Sequence, residues 1–247
     1  MNNDFFKSLE RSISSSRIST YKSKDHTKIE TIADYVLNAK ISQNFYFLLQ
    51  NLEVSLRNGI YDSFNKNYPN SDLFYLFENN SYNRYKSKKE KHSRECWKML
   101  CGAKYKLKHM QTLSDGKIIA ELNFGFWTEL LTSRDNKYTD MWRNIFSDVF
   151  PNYKIKSSID QDKTFIALKI DNIRNFRNRI FHYEPIYNQS DLITKHIDII
   201  DVLTWLNKDM KILNELFDDF KNIDRNKEEI IKQLTDLTLN KDINHGT

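Results

Sequence analysis

The sequence predicts an all-α protein, folded as a helical bundle with additional helices. The 247-residue chain contains only 5 glycines and 3 prolines, too few for the many tight turns of a β-sandwich or barrel. Its apolar residues recur at spacings of three and four, the period of a helix that buries one face. A hydrophobic content of 39% is enough to form a core.

Composition divides the chain into three segments. Residues 1–25 are rich in Ser, Lys and Asn and predict a polar arm that can carry a short helix. Residues 26–223 carry the apolar period and predict the helical domain. Residues 224–247 are polar again and predict a short helix with a frayed tail.

The first helices of the central segment are expected at about 28–39 and 41–66. Their shared apolar stripe comprises Ile32, Tyr35, Val36, Phe45, Leu48, Leu49, Leu52, Leu56 and Ile60. Residues 122–151 concentrate aromatic side chains around Trp127 and Trp142, most of which are expected to contact the core or another subunit, and the simplest prediction is a helix, a loop and a second helix.

Two further helices are expected at about 158–183 and 190–221. The buried face predicted for the first consists of Phe165, Leu168, Ile173, Phe176 and Ile180. The apolar seam predicted for the second consists of Leu192, His196, Ile199, Leu203, Leu206, Met210, Leu213 and Phe217.

Several classes of protein are disfavoured by what the chain contains. No apolar run approaches the roughly 20 residues that span a bilayer. Cys96 and Cys101 form neither a disulfide framework nor a Cys-x-x-Cys pair. The 6 histidines are scattered, without carboxylates at metal-ligand spacing. We therefore expect a cytoplasmic protein with no membrane partner, no metal and no cofactor.

The net charge of +5 mildly favours a polyanionic partner such as RNA. Basic residues are densest between residues 83 and 109, where a helix would be cationic on one side. Such a face is either simply solvated or contacts RNA. The candidate RNA-binding residues in this basic segment are Lys86, Lys88, Lys89, Lys91, Arg94, Lys104 and Lys106.

A second polar cluster lies near the end of the helix expected at 158–183. Asn178 and His182 are four residues apart and share a helical face, and Arg177 lies beside it. Pro185 disfavours helical geometry at the preceding residue, so His182 is expected in the last turn. Histidine and arginine together suit metal-free RNA cleavage, as proton-transfer group and charge stabiliser. The alternative is an ordinary basic helix end whose side chains bind the last carbonyls.

This cluster resembles a known motif. Arg177, Asn178 and His182 match the R-N-x-x-x-H form of the Arg-x4-6-His motif of the HEPN superfamily. The following Glu-Pro-Ile, residues 184–186, resembles the Abi-like proteins of bacterial abortive-infection systems. Further similar blocks are Ser15, Arg17 and Tyr21, L-E-V-S-L-R-N at 52–58, and G-F-W-x-x-L-L at 125–131. The chain departs from the family at residues 35–38, where Tyr-Val-Leu-Asn replaces a frequent Tyr-x-Trp-Asn.

The resemblance implies a HEPN-type bundle that pairs through its motif-bearing helices into a homodimer. It also implies a metal-independent endoribonuclease toxin acting in phage defence, with Arg177, Asn178 and His182 as catalytic residues. Some Abi-like proteins are restrained by a small antitoxin RNA, for which the basic segment is a candidate site.

Additional residues are candidates around this site. Glu53 and Arg57 are four apart on one helical face, where they either form an ion pair or line the cleft. The remaining candidates are Asn58 and Tyr183 for the cleft, and Arg174 and Arg179 for RNA binding. Alternative functions are a non-catalytic HEPN RNA-binding or scaffold protein and a purely structural helical dimerisation module.

Overall fold

The computed structural model describes residues 3–74, 77, 91–133, 136–220 and 227–244. Every regular element in these ranges is a helix, which confirms the all-α fold class. The helices are α1 (Asn3–Ile13), α2 (Ser15–Ser19), α3 (Lys28–Asn67), α4 (Lys91–Lys106), α5 (Asp115–Glu121), α6 (Phe124–Thr132), α7 (Asn136–Val149), α8 (Ile159–Phe181), α9 (Leu192–Leu206), α10 (Lys208–Phe217) and α11 (Lys227–Asn244).

The chain forms two compact units, and each is assembled from separate stretches of sequence. The first unit comprises Met1–Phe47, Arg177–Ile193 and Asp218–Thr247. The second unit comprises Leu48–Phe176 and Thr194–Phe217.

The core of the second unit contains the aromatic residues that the sequence indicates. Trp127 and Trp142 are fully buried, as predicted. The indole Nε1 of Trp142 donates a hydrogen bond of 3.0 Å to the Leu130 carbonyl, so its polar atom is satisfied. Helix α4 packs against α6 in this unit.

The first unit has its own apolar cluster. Phe6 of α1 and Ile18 of α2 are buried together with Ile29 and Ile32 of α3. Ile231 and Leu234 of α11 pack against these side chains. The first and last helices of the chain therefore both contribute to the core of this unit.

Helix α3 differs from the two helices predicted at 28–39 and 41–66, because it continues without a break from Lys28 to Asn67. The residues around Lys40 include no glycine, proline or capping interaction that would end a helix, and Ile41 is buried. The predicted stripe is correct in its main members, since Ile32, Phe45, Leu48, Leu49, Leu52, Leu56 and Ile60 are all buried.

The predicted buried face of α8 is partly wrong. Ile173, Phe176 and Ile180 are buried as expected, but Phe165 and Leu168 are 46% and 61% exposed. The positions that turn inward at the start of α8 are Asp162, Lys163, Ile166, Ala167 and Ile170.

The two charged residues among them are buried because they bind backbone groups. The Asp162 carboxylate accepts a hydrogen bond of 2.7 Å from the Lys156 amide. The Lys163 ammonium donates to the carbonyls of Leu131 and Ser133, at 3.1 and 2.8 Å, just where α6 ends. Buried charges of this kind are tolerated when they satisfy otherwise unpaired backbone groups.

The single helix expected at 190–221 is also corrected, since the structure divides it into α9 and α10. Asn207 separates them, and its side-chain Oδ1 accepts a hydrogen bond of 2.8 Å from the Asp209 amide. Asn207 is therefore the N-cap of α10. The apolar seam predicted for a single helix ends at Leu206 as a result. Leu213 and Phe217 are consequently exposed. In the described ranges, the helices are all too short or too polar to cross a membrane.

Candidate functional site

The motif-bearing helix α8 ends in a well-defined capping motif within the first unit. The Tyr183 amide donates to the Ile180 carbonyl at 2.9 Å, and the Glu184 amide donates to the Arg179 carbonyl at 2.8 Å. This pair of hydrogen bonds defines a Schellman motif. His182 is therefore held at the boundary between the last helical residue, Phe181, and the turn.

Tyr183 adopts the left-handed conformation that this motif requires, with φ of 57°. Glycine is the usual residue there, because a side chain in this region costs roughly 1–2 kcal/mol. The tyrosine ring is 72% exposed, so core packing does not offset that cost. Strain retained at an exposed aromatic residue next to a motif histidine is typical of functional sites.

This conformation gives a stability prediction. We expect the free energy of unfolding of Tyr183→Gly to exceed that of Tyr183→Ala by up to about 1 kcal/mol, because only glycine relieves the strain. The glycine variant should therefore have the higher urea midpoint. Both variants lack the ring, so their difference isolates the backbone. Equal midpoints for the two variants would contradict a strained backbone at Tyr183.

Arg17 of α2 binds the end of the motif helix. Its Nη1 donates to the Tyr183 carbonyl at 2.6 Å, and its Nη2 donates to the His182 carbonyl at 3.3 Å. A guanidinium at this position pairs with the partial negative charge of the helix C-terminus. The backbone on both sides of the motif histidine is thereby fixed.

Asn38 of α3 binds the residues that follow. Its Oδ1 accepts hydrogen bonds from the amides of Ile186 and Tyr187, at 2.6 and 3.1 Å. Its Nδ2 donates to the Glu184 carbonyl at 3.3 Å and to the Tyr21 hydroxyl at 3.1 Å. The side chain is only 4% exposed, so it holds the Glu-Pro-Ile turn from inside the unit.

The motif residues themselves lie on the last turns of α8. Arg177 is partly buried, and its guanidinium carbon is 4.1 Å from the ring centroid of Phe181. Its Nη1 is 3.4 Å from the Asn178 Oδ1, a long hydrogen bond. His182 is exposed, and its amide donates to the Asn178 carbonyl at 2.9 Å. The structure thus brings Arg177, Asn178 and His182 to one helix end.

A cleft of about 760 Å³ lies in the first unit beside this helix end. Phe181 and Tyr183, the two neighbours of His182 in sequence, both line it. The ring of Tyr46 stacks on that of Phe181, with centroids 5.7 Å apart and an interplanar angle of 26°. The other lining residues are Ser12, Ile13, Arg17, Tyr21, Tyr35, Asn38, Ala39, Ser42, Gln43, Phe47 and Ile180.

The two arginines of α8 that are expected to bind RNA form ion pairs or hydrogen bonds with residues of the same chain. Arg179 lies in the first unit, where its Nη2 donates to the Pro185 carbonyl at 2.9 Å and its Nε is 3.3 Å from the Glu184 carboxylate. Arg174 lies in the second unit, where its guanidinium pairs with Asp171 at 2.7 Å. The first of these contacts supports the turn after His182.

The remaining candidate cleft residues, Glu53, Arg57 and Asn58, lie on the part of α3 that belongs to the second unit. The Arg57 Nε is 3.4 Å from the Asn58 Oδ1. Their assignment to the cleft stays a prediction.

The basic segment is described only in part. Lys86, Lys88, Lys89 and the side chain of Lys91 lie outside the described residues. On α4, Arg94 is 3.8 Å from Glu95, and Lys106 is 2.6 Å from Glu121. Lys104 lies on the last turn of the same helix. These ion pairs offset part of the positive charge that the sequence places on α4.

Local sequence patterns do not reveal the residues that support the motif. Arg17 and Tyr21 belong only to a block similar to the family, and Asn38 lies where the chain departs from it. One signal could have indicated the role of Asn38: it occupies a buried position of an apolar helix, and a buried side-chain amide needs hydrogen-bond partners. Tyr46 lies off the apolar stripe, and nothing in its spacing indicated a cleft.

Comparison of the chain with known proteins identifies no relative. No family model, curated protein or solved structure matches the chain. Within the residues that the structure describes, His, Cys, Asp and Glu side chains form no group of three or more suited to hold a metal ion.

Proposed function

We propose that this protein is a metal-independent endoribonuclease of the HEPN type, acting as a toxin in bacterial abortive infection. The observation that carries the proposal is the helix end at which His182 is exposed, five residues after Arg177 on the same helix. Arg17 and Asn38 hold the backbone of residues 182–187 through five hydrogen bonds in all. A general base or acid needs this combination of access to substrate and fixed position.

The chemistry follows from these two side chains. An imidazole takes the proton from a ribose 2′-hydroxyl, and the oxygen attacks the adjacent phosphorus. The bond from phosphorus to the 5′-oxygen breaks, and that oxygen receives a proton from a second, protonated imidazole, which a second copy of the chain supplies. Arg177 stabilises the negative charge that develops on the phosphoryl oxygens. The products are a 2′,3′-cyclic phosphate and a 5′-hydroxyl.

The test is RNA cleavage in the presence of EDTA, followed by analysis of the product ends. We expect cleavage to persist and the upstream fragments to end in a 2′,3′-cyclic phosphate. Fragments that end in a free 3′-hydroxyl would contradict ribose attack, because that end results from an activated water. RNA that is bound but left intact would favour the alternative, a non-catalytic HEPN RNA-binding or scaffold protein.

The active unit that we propose is a homodimer. In-line cleavage needs one group that accepts a proton and another that donates one, and the helix end supplies a single histidine. Along α8 in the second unit, exposed residues recur in steps of four and three at Gln161, Phe165, Leu168, Asn172 and Asn175. Phe165 and Leu168 on this face are large apolar side chains exposed to solvent, and exposed apolar residues at such spacing are typical of a helix that pairs with another helix. The same steps continued along the sequence reach Arg179 and His182.

The exposed residues that recur along α8, here called the α8 seam (Gln161, Phe165, Leu168, Asn172 and Asn175), predict how dimerisation can be broken. We expect Leu168→Glu to convert the dimer into a monomer in analytical ultracentrifugation and to abolish most of the cleavage, because a carboxylate would be buried against the partner. Leu216→Glu on α10 is the matched control, since Leu216 is similarly exposed and lies off this seam. A Leu168→Glu monomer that cleaves at the wild-type rate would exclude a composite site.

A further inference from the structure

We infer that the aromatic cleft of the first unit binds unpaired bases of the RNA strand next to the cleaved position. The inference rests on the proposed function and assigns to that site a recognition element for single-stranded RNA. Its basis is the set of exposed aromatic rings in the cleft and their connection to the motif histidine.

The walls of the cleft expose flat aromatic surface to solvent. Tyr46 is 53% exposed and Tyr183 is 72% exposed, and Phe181 is exposed beside them. Large aromatic side chains usually lose such surface to the core or to a ligand. Bases that are not paired stack on tyrosine and phenylalanine rings in proteins that bind single strands.

Polar groups of the cleft suit the edges of bases. Ser42 and Gln43, two consecutive residues of α3, are among the lining residues, and they offer a hydroxyl and an exposed amide. An amide can donate to one base atom and accept from another. The volume of about 760 Å³ falls in the ordinary range of ligand pockets and leaves room for more than a single ring.

The position of the cleft identifies the ligand as part of a strand. Phe181 and Tyr183 line the cleft, and His182 lies between them in sequence. The guanidinium of Arg177 lies over the Phe181 ring, 4.1 Å from its centroid, so it covers one face of that ring and puts a cation beside the cleft. A base stacked on Tyr46, which contacts Phe181, would bring its own phosphate within reach of this cation. A duplex keeps its bases stacked inside and could not use the cleft.

The experiment measures binding of a short fluorescent single-stranded RNA to full-length protein that carries His182→Ala, so that the RNA stays intact. Adding Tyr46→Ala is expected to raise Kd by about 5- to 150-fold, the effect of losing one base stack. Adding Tyr46→Phe should leave Kd unchanged, since the ring remains. Phe217→Ala is the control for an exposed aromatic residue that does not line the cleft.

A second measurement separates stacking from backbone contacts. An oligonucleotide with abasic sites should bind the His182→Ala protein and its Tyr46→Ala derivative about equally, because it offers no base to stack. The inference is overturned if Tyr46→Ala binds intact RNA as tightly as its parent. It is likewise overturned if the tyrosine affects only self-association, or if a free mononucleotide binds the cleft while the strand does not.

These outcomes are distinct from those that test the enzyme. If the otherwise unaltered chain cleaves RNA but Tyr46→Ala changes neither Kd nor KM, the proposed function stands and the cleft assignment fails. If the chain never cleaves RNA but loses RNA affinity with Tyr46→Ala, the cleft assignment stands and the nuclease proposal fails.

Discussion

Replacing His182 with alanine is expected to slow RNA cleavage by roughly 10²- to 10⁴-fold, the usual contribution of a general acid or base. The side chain is exposed, and its capping contacts are made by the backbone, so folding should not change. Single-turnover rates measure the effect, and circular dichroism checks the fold. His109→Ala is the matched control, because His109 is an exposed histidine outside the motif. Full activity of the His182→Ala protein would refute the assigned role.

The same experiment with Arg177 distinguishes charge from shape. Arg177→Ala should slow RNA cleavage about as much as His182→Ala does, because the developing negative charge loses its stabilising group. Arg177→Lys retains a positive charge but lacks the planar fork that binds two phosphoryl oxygens at once. An intermediate rate for lysine is therefore expected, whereas equal rates for lysine and wild type would reduce the role of Arg177 to charge alone.

The second large effect is expected at Asn38. Asn38→Ala removes the acceptor of the Ile186 and Tyr187 amides, and leaving a buried donor unpaired costs about 1–3 kcal/mol. We expect a total loss of about 2–4 kcal/mol, which corresponds to a fall in Tm of roughly 5–15 °C for a chain of this size. Differential scanning calorimetry measures the change.

The control for this variant lies on the same helix. Asn44 also donates through its side chain, to the Lys40 carbonyl at 2.8 Å, but that carbonyl belongs to its own helix and remains satisfied. Asn44→Ala should therefore shift Tm by only a few degrees at most. If the two alanine variants lose equal stability, the turn after His182 does not depend on Asn38.

The helical class could be predicted because three- and four-residue spacing depends only on neighbours in sequence. The boundaries inside long helical stretches could not. Nothing in the residues around Lys40 stops a helix, whereas Asn207 ends one by capping the next. The buried face of α8 could not be predicted fully, for a different reason. The bulkiest apolar residues are the natural choice for a buried face, but Phe165 and Leu168 are exposed while Asp162 and Lys163 are buried.

For the candidate site, the sequence indicated the residues of the helix end but not those that support it. Asn178 and His182 are four residues apart and Arg177 precedes Asn178, so their spacing alone places all three in the last two turns of the helix. Arg17 and Asn38 reach the same turn from the other end of the chain, and no local pattern reports contacts of that kind. The aromatic cleft was missed for the same reason, since Tyr46 and Phe181 meet only after folding.

The long sequence separation of these contacts has a consequence for synthesis on the ribosome. Arg17 lies 166 residues before Tyr183, and Asn38 lies 148 residues before Ile186. The first unit also includes α11, which follows the motif residues in the chain. A nascent chain can fold the helices of the second unit while the first unit still lacks its later segments. The helix end with His182 thus acquires its final geometry only after residues 182–187 have been synthesised, so shorter nascent chains carry Arg17 and Asn38 without the turn that they bind.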